Sequence, residues 1–217
     1  MRLPPRQETL PIPPRHTPDH WQQRYLHEDL PWDTGEVSPE LIDVVQDLPP
    51  ATADRALEIG CGTGTDAIWL ARQGFETLGV DIAPRAIELA RAKARESAVA
   101  NAGFEVGDIV KKLPVEDGSC AFAFDRGCFH AVGDDERPAF SERVFEALRP
   151  GGHWLTLCGN ADEQRPEGAH GPPQLSARDI VNVVEKRFSI LSLQPSHFRD
   201  SGDTSHLSWL CLMRKRA

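Results

Sequence analysis

Short, nearly continuous apolar runs alternate along this chain with longer stretches whose apolar residues recur at helical spacing. The runs Arg55–Ile59, Phe75–Val80, Phe104–Val106, Ala121–Phe124, His153–Cys158, Phe188–Leu193 and Leu207–Met213 predict strands. Between them Asp66–Gln73, Pro84 to about Ser97, Pro138–Leu148 and Ser176 to about Lys186 predict helices. The punctuation agrees with this division. Pro84 and Pro138 suit a first helical turn, Gly74 suits a left-handed cap, and Ser176 with Asp179 has the spacing of a capping box. Strands separated by helices imply a mostly parallel sheet with helices on both faces, and the last two runs can pair antiparallel. The expectation is an α/β fold with a seven-stranded sheet whose last strand is antiparallel.

Two further helical patterns precede this alternation. His20–Leu26 carries Trp21, Tyr25 and Leu26 on one face, and Pro39 opens a second helix with Leu41, Ile42, Val44 and Val45, stopped by Pro49 and Pro50. Residues 1–18 hold six prolines and few large apolar groups, which predicts a flexible tail. The expected division is therefore a tail over 1–18 and one domain over 19–217, with 19–50 as a helical cover and 51–217 as the core.

Composition narrows the classes that remain. The chain has 217 residues and a formal charge of −9, and it contains no apolar run long enough to span a bilayer. The start of the chain also lacks the apolar stretch of a secretory signal. Net acidity argues against a nucleic-acid partner, whose binding needs clustered Lys and Arg. Five cysteines without a CxxC pair give neither a zinc site nor a disulfide framework, so no metal is expected. These features predict a reduced, cytoplasmic protein, monomeric or homodimeric, acting on a small molecule away from membranes.

The sharpest chemical signal is Ala56-Leu57-Glu58-Ile59-Gly60-Cys61-Gly62-Thr63-Gly64-Thr65-Asp66. A buried strand runs into three alternate glycines and then a helix, the place where open α/β sheets take nucleotide-like ligands. Asp81 ends the following strand, where an acid can accept hydrogen bonds from both hydroxyls of a ribose. The spacing is G-x-G-x-G rather than G-x-G-x-x-G, and Glu58 stands two residues before the first glycine. A carboxylate there repels a pyrophosphate but can hold a cationic aminoacyl end, which favours S-adenosylmethionine over NAD. Asp66 reads either as a ligand contact or, better, as a first-turn acid stabilised by the helix dipole.

With these motifs the chain resembles the class I S-adenosylmethionine-dependent methyltransferases, whose core is Rossmann-like. Phe104-Glu105-Val106-Gly107-Asp108-Ile109 looks like that family's third-strand segment, which implies an adenine pocket formed by Asp108 and Ile109. Leu148-Arg149-Pro150-Gly151-Gly152 matches the turn before its fifth strand. Pro31-Trp32-Asp33-Thr34-Gly35, Phe124-Asp125-Arg126-Gly127-Cys128-Phe129-His130 and His170-Gly171-Pro172-Pro173 narrow the resemblance to the thiopurine S-methyltransferase-like branch, with its tellurite-resistance and halide/thiol relatives. The resemblance covers roughly residues 19–213.

It implies that Trp32 caps the methionine end of the cofactor, unless it is simply a core aromatic. Arg126 would lie beside the transferred methyl and touch the cofactor or an anionic substrate, or else form a salt bridge to Asp125 or Asp81. Asp125 would orient the loop. The implied cofactor set is Trp32, Glu58, Gly60, Gly62, Gly64, Asp81, Ile82, Asp108, Ile109 and Asp125, and the implied catalytic set is Arg126, His130 and Asp125. His130 reads as a proton acceptor where one is needed, or as a satisfied loop histidine. Cys128 has no covalent step to serve.

The expected reaction is in-line methyl transfer to a soft small-molecule nucleophile: a thiol, a selenol or tellurite-type species, or a heterocyclic S, N or O atom. An ionised acceptor needs no base. Segments around Trp21–Trp32 and Asn160–Pro173 are the expected lid. A non-catalytic S-adenosylmethionine-binding module and an NAD-dependent oxidoreductase are the rival readings.

Overall fold

The computed structural model describes residues 17–166, 171–202 and 204–217. The expected tail lies outside these residues except at its end, where Thr17 caps the first helix by accepting the His20 N–H. That helix, α1 (Pro18–Leu26), is followed by α2 (Pro39–Asp47), β1 (Arg55–Ile59), α3 (Thr65–Arg72), β2 (Glu76–Asp81), α4 (Pro84–Glu96) and β3 (Ala102–Val106). The chain continues through β4 (Cys120–Arg126), α5 (Arg137–Ala147), β5 (Leu148–Asn160), β6 (Gln174–Leu175), α6 (Ala177–Val184), β7 (Phe188–Arg199) and β8 (Ser205–Lys215). Pro18, Pro39, Pro84 and Pro138 each stand in a first helical turn, where the missing N–H costs nothing. The capping box of Ser176 and Asp179 is formed in both directions.

The sheet has eight strands in the order β3-β2-β1-β4-β5-β8-β7, with β6 pairing β5 off this path. All pairings are parallel except those of β8, which runs antiparallel to β5 and to β7. The expected seven strands are present, and β6 adds a two-residue bridge that no apolar run announced. A side chain on Gly159 would collide with the Pro173 carbonyl, and its lack of one lets the chain leading into β6 lie against β5. Arg149–Gly152, expected as a turn, is a bulge inside β5: Cys120 pairs Leu148 and Phe122 pairs His153, so four residues loop out, with Gly151 at φ 75°.

Alternation sorts each strand between two cores. Leu57 and Ile59 join the core under α5 and α6, whereas Ala56 joins the core under α2 and α3. Trp154 and Cys158 of β5 face the first core, and Leu155 and Leu157 the second. Burying aromatic side chains such as Trp154, Phe140, Phe188 and Phe124 contributes about 2 kcal/mol each. The parallel strands β1, β2 and β4 all end at one edge, so Glu58, the glycine loop, Asp81, Asp125 and Arg126 gather there.

Candidate functional site

The turn from β1 into α3 is made by Gly60, Gly62 and Gly64 at φ 68°, 54° and 80°, a region costly for residues with a Cβ. Each glycine also meets a close neighbour. A Cβ would lie 2.9 Å from the Cys128 sulfur at Gly60, 2.9 Å from the Tyr25 hydroxyl at Gly62, and 2.7 Å from the Phe104 ring at Gly64. Asp81, at the end of β2, fastens the loop. Its Oδ2 accepts the Gly62 N–H at 3.0 Å and its Oδ1 accepts the Ala83 N–H at 2.9 Å. Burial raises its carboxyl to about 6. Ile82, the next residue, is half-buried.

Glu58 is also buried, and its Oε2 has no hydrogen-bond partner among the described residues. Burial, then the nearby Asp66 charge, push its carboxyl well above the ordinary range, and Lys93 pulls the other way. Asp66 opens α3 and accepts both the N–H and the hydroxyl of Ser38, at 2.9 and 3.2 Å. It therefore ties the glycine loop's helix to the start of α2. Asp108 sits in the turn after β3, where Oδ1 accepts the Val110 N–H at 3.1 Å and Oδ2 pairs with Lys111 at 3.0 Å. Ile109 is packed into the core with Val80 and Leu113.

The cover is fastened to this loop by contacts that span the sequence. Trp32 packs edge-on to Trp21 at 5.3 Å and to Tyr25 at 6.1 Å, and Arg24 lies over its ring. Asp33 accepts the Thr63 hydroxyl at 2.8 Å, and Lys93 of α4 donates to Thr63 and Thr65 at 2.6 and 2.9 Å. The Gln22 side chain accepts the Arg85 N–H. Arg126 donates to two main-chain carbonyls, Trp32 at 2.9 Å and Arg199 at 3.0 Å, and its guanidinium lies 5.2 Å from the Phe198 ring centre. The salt bridge to Asp125 or Asp81 is replaced by these carbonyl contacts.

Asp125 is fully buried and turned to the other face. It accepts the Phe129 N–H and the Trp154 indole N–H, both at 2.9 Å, and burial raises its carboxyl to about 6. With both oxygens so engaged, it orients the loop after β4 and does not line the cavity. His130 is buried as well, and its Nδ1 accepts the Gly159 N–H at 2.7 Å. Burial, with Arg137, Arg165 and Arg126 nearby, lowers its pKa to about 3. A ring held neutral with its lone pair engaged does not fit the proton-acceptor role expected of it. Burial also raises the Cys128 thiol well above its usual range, so it is no nucleophile at neutral pH.

Trp32, Glu58, Gly60, Gly62, Asp66 and Arg126 line one cavity of about 50 Å³, together with Asp33, Thr63 and Thr65. Gly64, Asp81, Ile82, Asp108, Ile109, Asp125 and His130 do not line it. A wider depression of about 380 Å³ lies elsewhere, among Gly151, Ser189 and Arg214–Ala217. Its Lys215 and Arg216 donate to the carbonyls of Leu148, Glu185 and Phe188, and it holds none of the glycine-loop groups. Local sequence gave no mark to Lys93, Thr63 or Asp33 as a set. From sequence Tyr25 reads only as one member of an apolar helix face. His170 of the H-G-P-P segment lies outside the described residues.

Comparison with known proteins bears on the family and the fold. Residues 16–207 match the family described as thiopurine S-methyltransferase. A 2-heptyl-1-hydroxyquinolin-4(1H)-one methyltransferase of Mycobacteroides abscessus is 27% identical over 173 residues, 80% of this chain and 74% of the relative. A probable thiol methyltransferase 2 of Arabidopsis thaliana is 31% identical over 170 residues, 76% of this chain and 70% of the relative. Among solved structures, one described as the conversion of a disulfide bond into a thioacetal group during echinomycin biosynthesis superposes with a TM-score of 0.80. It is 24% identical and covers 93% of each chain, a likeness of fold. No helix among the described residues is long and apolar enough to cross a membrane. The chain belongs to the thiopurine S-methyltransferase family of S-adenosylmethionine-dependent enzymes that methylate small molecules.

Proposed function

We propose that this enzyme methylates an ionisable thiol or heterocyclic acceptor by in-line displacement, with the acceptor held between Arg126 and the hairpin of β7 and β8. The observation that carries the reading is the buried, unpartnered Glu58 oxygen in a cavity shared with the glycine loop and Arg126. Buried polar atoms are nearly always hydrogen-bonded, so one facing a cavity marks a ligand position.

The residues present fit S-adenosylmethionine. Glu58 suits the ammonium of its aminoacyl end, and Asp81 keeps lone pairs free for ribose hydroxyls beyond the two N–H groups it already accepts. The glycines let the main chain approach the ligand, and Trp32 covers it. Asp108, in the turn after β3, is the acid this reading gives to the adenine edge. When bound, the cofactor supplies a methyl group on a positively charged sulfur.

The chain's own part is alignment and exclusion of water, which can supply several kcal/mol. A cavity of about 50 Å³ holds at most a few waters, whereas a small-molecule site takes about 300 Å³ or more. In this reading residues 19–50 move as the cofactor enters, with the contacts of Asp33, Ser38 and Trp32 broken and remade. The Arabidopsis thiol methyltransferase and the mycobacterial hydroxyquinolone methyltransferase are named for acceptors that ionise readily, which supports the same class here.

The test is transfer of a labelled methyl group to a panel of thiols, selenite, halides and hydroxylated heterocycles. Transfer to an ionisable thiol or heterocycle is expected. Intact cofactor binding with no transfer to any of them would overturn the acceptor class.

A further inference from the structure

At the carboxyl ends of β4 and β5 one ring nitrogen of His130 is left over by the fold. Nδ1 is committed, because the main-chain N–H of Gly159 donates to it at 2.7 Å and a peptide N–H can only donate. A neutral ring must then carry its proton on Nε2. That nitrogen has no hydrogen-bond partner among the described residues. Gly127, at φ 84°, makes room for it, since a Cβ there would stand 3.2 Å from Nε2. Phe198 of β7 meets the ring edge-on at 5.8 Å, and the Arg126 guanidinium lies over that same phenyl ring. Three guanidinium groups bear on His130: Arg126 of β4, Arg137 of α5, which is paired with Asp134, and Arg165 of the loop after β5, which is paired with Glu163.

A general base needs a lone pair facing its substrate. Here the lone pair faces Gly159, and the free nitrogen offers a proton among three guanidinium groups. We infer that His130 is a neutral hydrogen-bond donor, through Nε2–H, to an acceptor that enters as an anion, and that it selects acceptors with a second O or N atom conjugated to the nucleophile. The inference rests on the methyltransferase reading above. In the transfer step the acceptor's lone pair forms the bond to the methyl carbon, and the carbon–sulfur electron pair stays with sulfur. No proton leaves either reactant, so the step has use for a donor that fixes orientation and none for a base. Because the acceptor's charge disappears as the bond forms, the hydrogen bond is strongest before reaction, and its loss falls on KM more than on kcat.

Two measurements test this. In wild-type protein labelled with ¹⁵N, long-range proton–nitrogen correlation reads the tautomer of His130 directly. A protonated Nε2 and bare Nδ1 from pH 5 to 8 is expected, and an Nδ1–H tautomer or an imidazolium in that range would overturn the assignment. The second measurement is made at alkaline pH and compares the 2-mercaptopyridine anion, whose unprotonated ring nitrogen can accept a hydrogen bond from Nε2–H, with the thiophenol anion, which offers no second acceptor atom. His130→Phe should raise KM for 2-mercaptopyridine by about 100-fold and leave thiophenol within about threefold, while His130→Gln, which keeps a donor, stays near wild type for both. Equal losses on both thiols, or a Gln variant as poor as Phe, would overturn the selective role. S-adenosylhomocysteine affinity, unchanged in both variants, separates these results from a collapsed pocket. Failure of the wild type to methylate either thiol would count against the acceptor class, and the tautomer would still decide the assignment of His130.

Discussion

Buried ionisable groups gather at two places along the carboxyl edge of the sheet, and they carry opposite character. Around the glycine loop they are acids: Glu58, Asp66 and Asp81, each with its carboxyl raised, chiefly by burial. Around the ends of β4 and β5 the neutral His130 stands among Arg126, Arg137 and Arg165. Acids stand at the second place too, but each is engaged: Asp125 is turned into the core under α5, Glu163 pairs with Arg165 and Asp134 pairs with Arg137. The contrast separates a region suited to a positively charged ligand from one suited to an anion. A displacement that cancels those two charges gains from having each partner's counter-field built in and water excluded. Arg126 and Glu58 line the same cavity, so the two regions meet where the reacting atoms would meet.

That division can be broken from either side. The largest effect is expected from Gly64→Ala, which forces a side chain into φ 80° against the Phe104 ring and Ala90. Chemical denaturation should register a loss of about 3 kcal/mol, and cofactor binding should fail with it. Next is the pH dependence set by His130. Its pKa of about 3 in the folded protein lies below the unfolded value, so the unfolded chain binds a proton that the folded one does not. Stability is therefore present above pH 6.5 and lost as pH falls toward 3, by about 2 kcal/mol at pH 5. Denaturation curves of His130→Gln at pH 7 and pH 5 should lack that loss.

A smaller change is expected from Glu58→Gln, with calorimetric affinity for S-adenosylhomocysteine falling about tenfold. Burial raises the free Glu58 carboxyl and a bound ammonium lowers it again, so binding shifts this acid toward proton release. Titrations in two buffers of different ionisation enthalpy should show that release in the wild type and not in the variant. Asp81→Ala should likewise weaken binding by at least about tenfold, by freeing the Gly62 N–H as well as removing a ribose partner. The smallest effect is expected from Arg126→Lys, which cannot span two carbonyls. Amide exchange in residues 28–36 and 196–202 should quicken about threefold with the glycine loop unchanged. Faster exchange in the glycine loop instead would show the two regions to be one unit.

The same contrast explains what could be read from the chain alone. Glu58, the three glycines and Asp81 lie within one strand–loop–helix–strand unit, and local spacing reports them. The bonds from Arg126 to Trp32 and to Arg199, from Thr63 to Asp33, and from Gly159 to His130 join residues far apart in sequence. No periodicity records such pairs. Strands follow the same rule. β1 and β2 are buried and bounded by turns, and their predicted limits hold to within a residue. β7 runs on to Arg199 through Gln194-Pro195-Ser196, because an edge strand pairs on one side only and tolerates both proline and a broken apolar pattern. β6 is too short to leave any pattern, although it carries the chain past Gly159 and so past the group that fixes the His130 ring.

The guanidinium of Arg126 holds the carbonyl before Asp33 with one nitrogen and the last carbonyl of β7 with another. A single cation thus latches two segments, which the proposed function sets over the cofactor and over the acceptor. Unlatching either loosens both, so spent cofactor and methylated product should depart in one kinetic event. Efforts to widen the acceptor range by redesigning the hairpin would then alter cofactor residence time as well, and turnover would be the first quantity to register it.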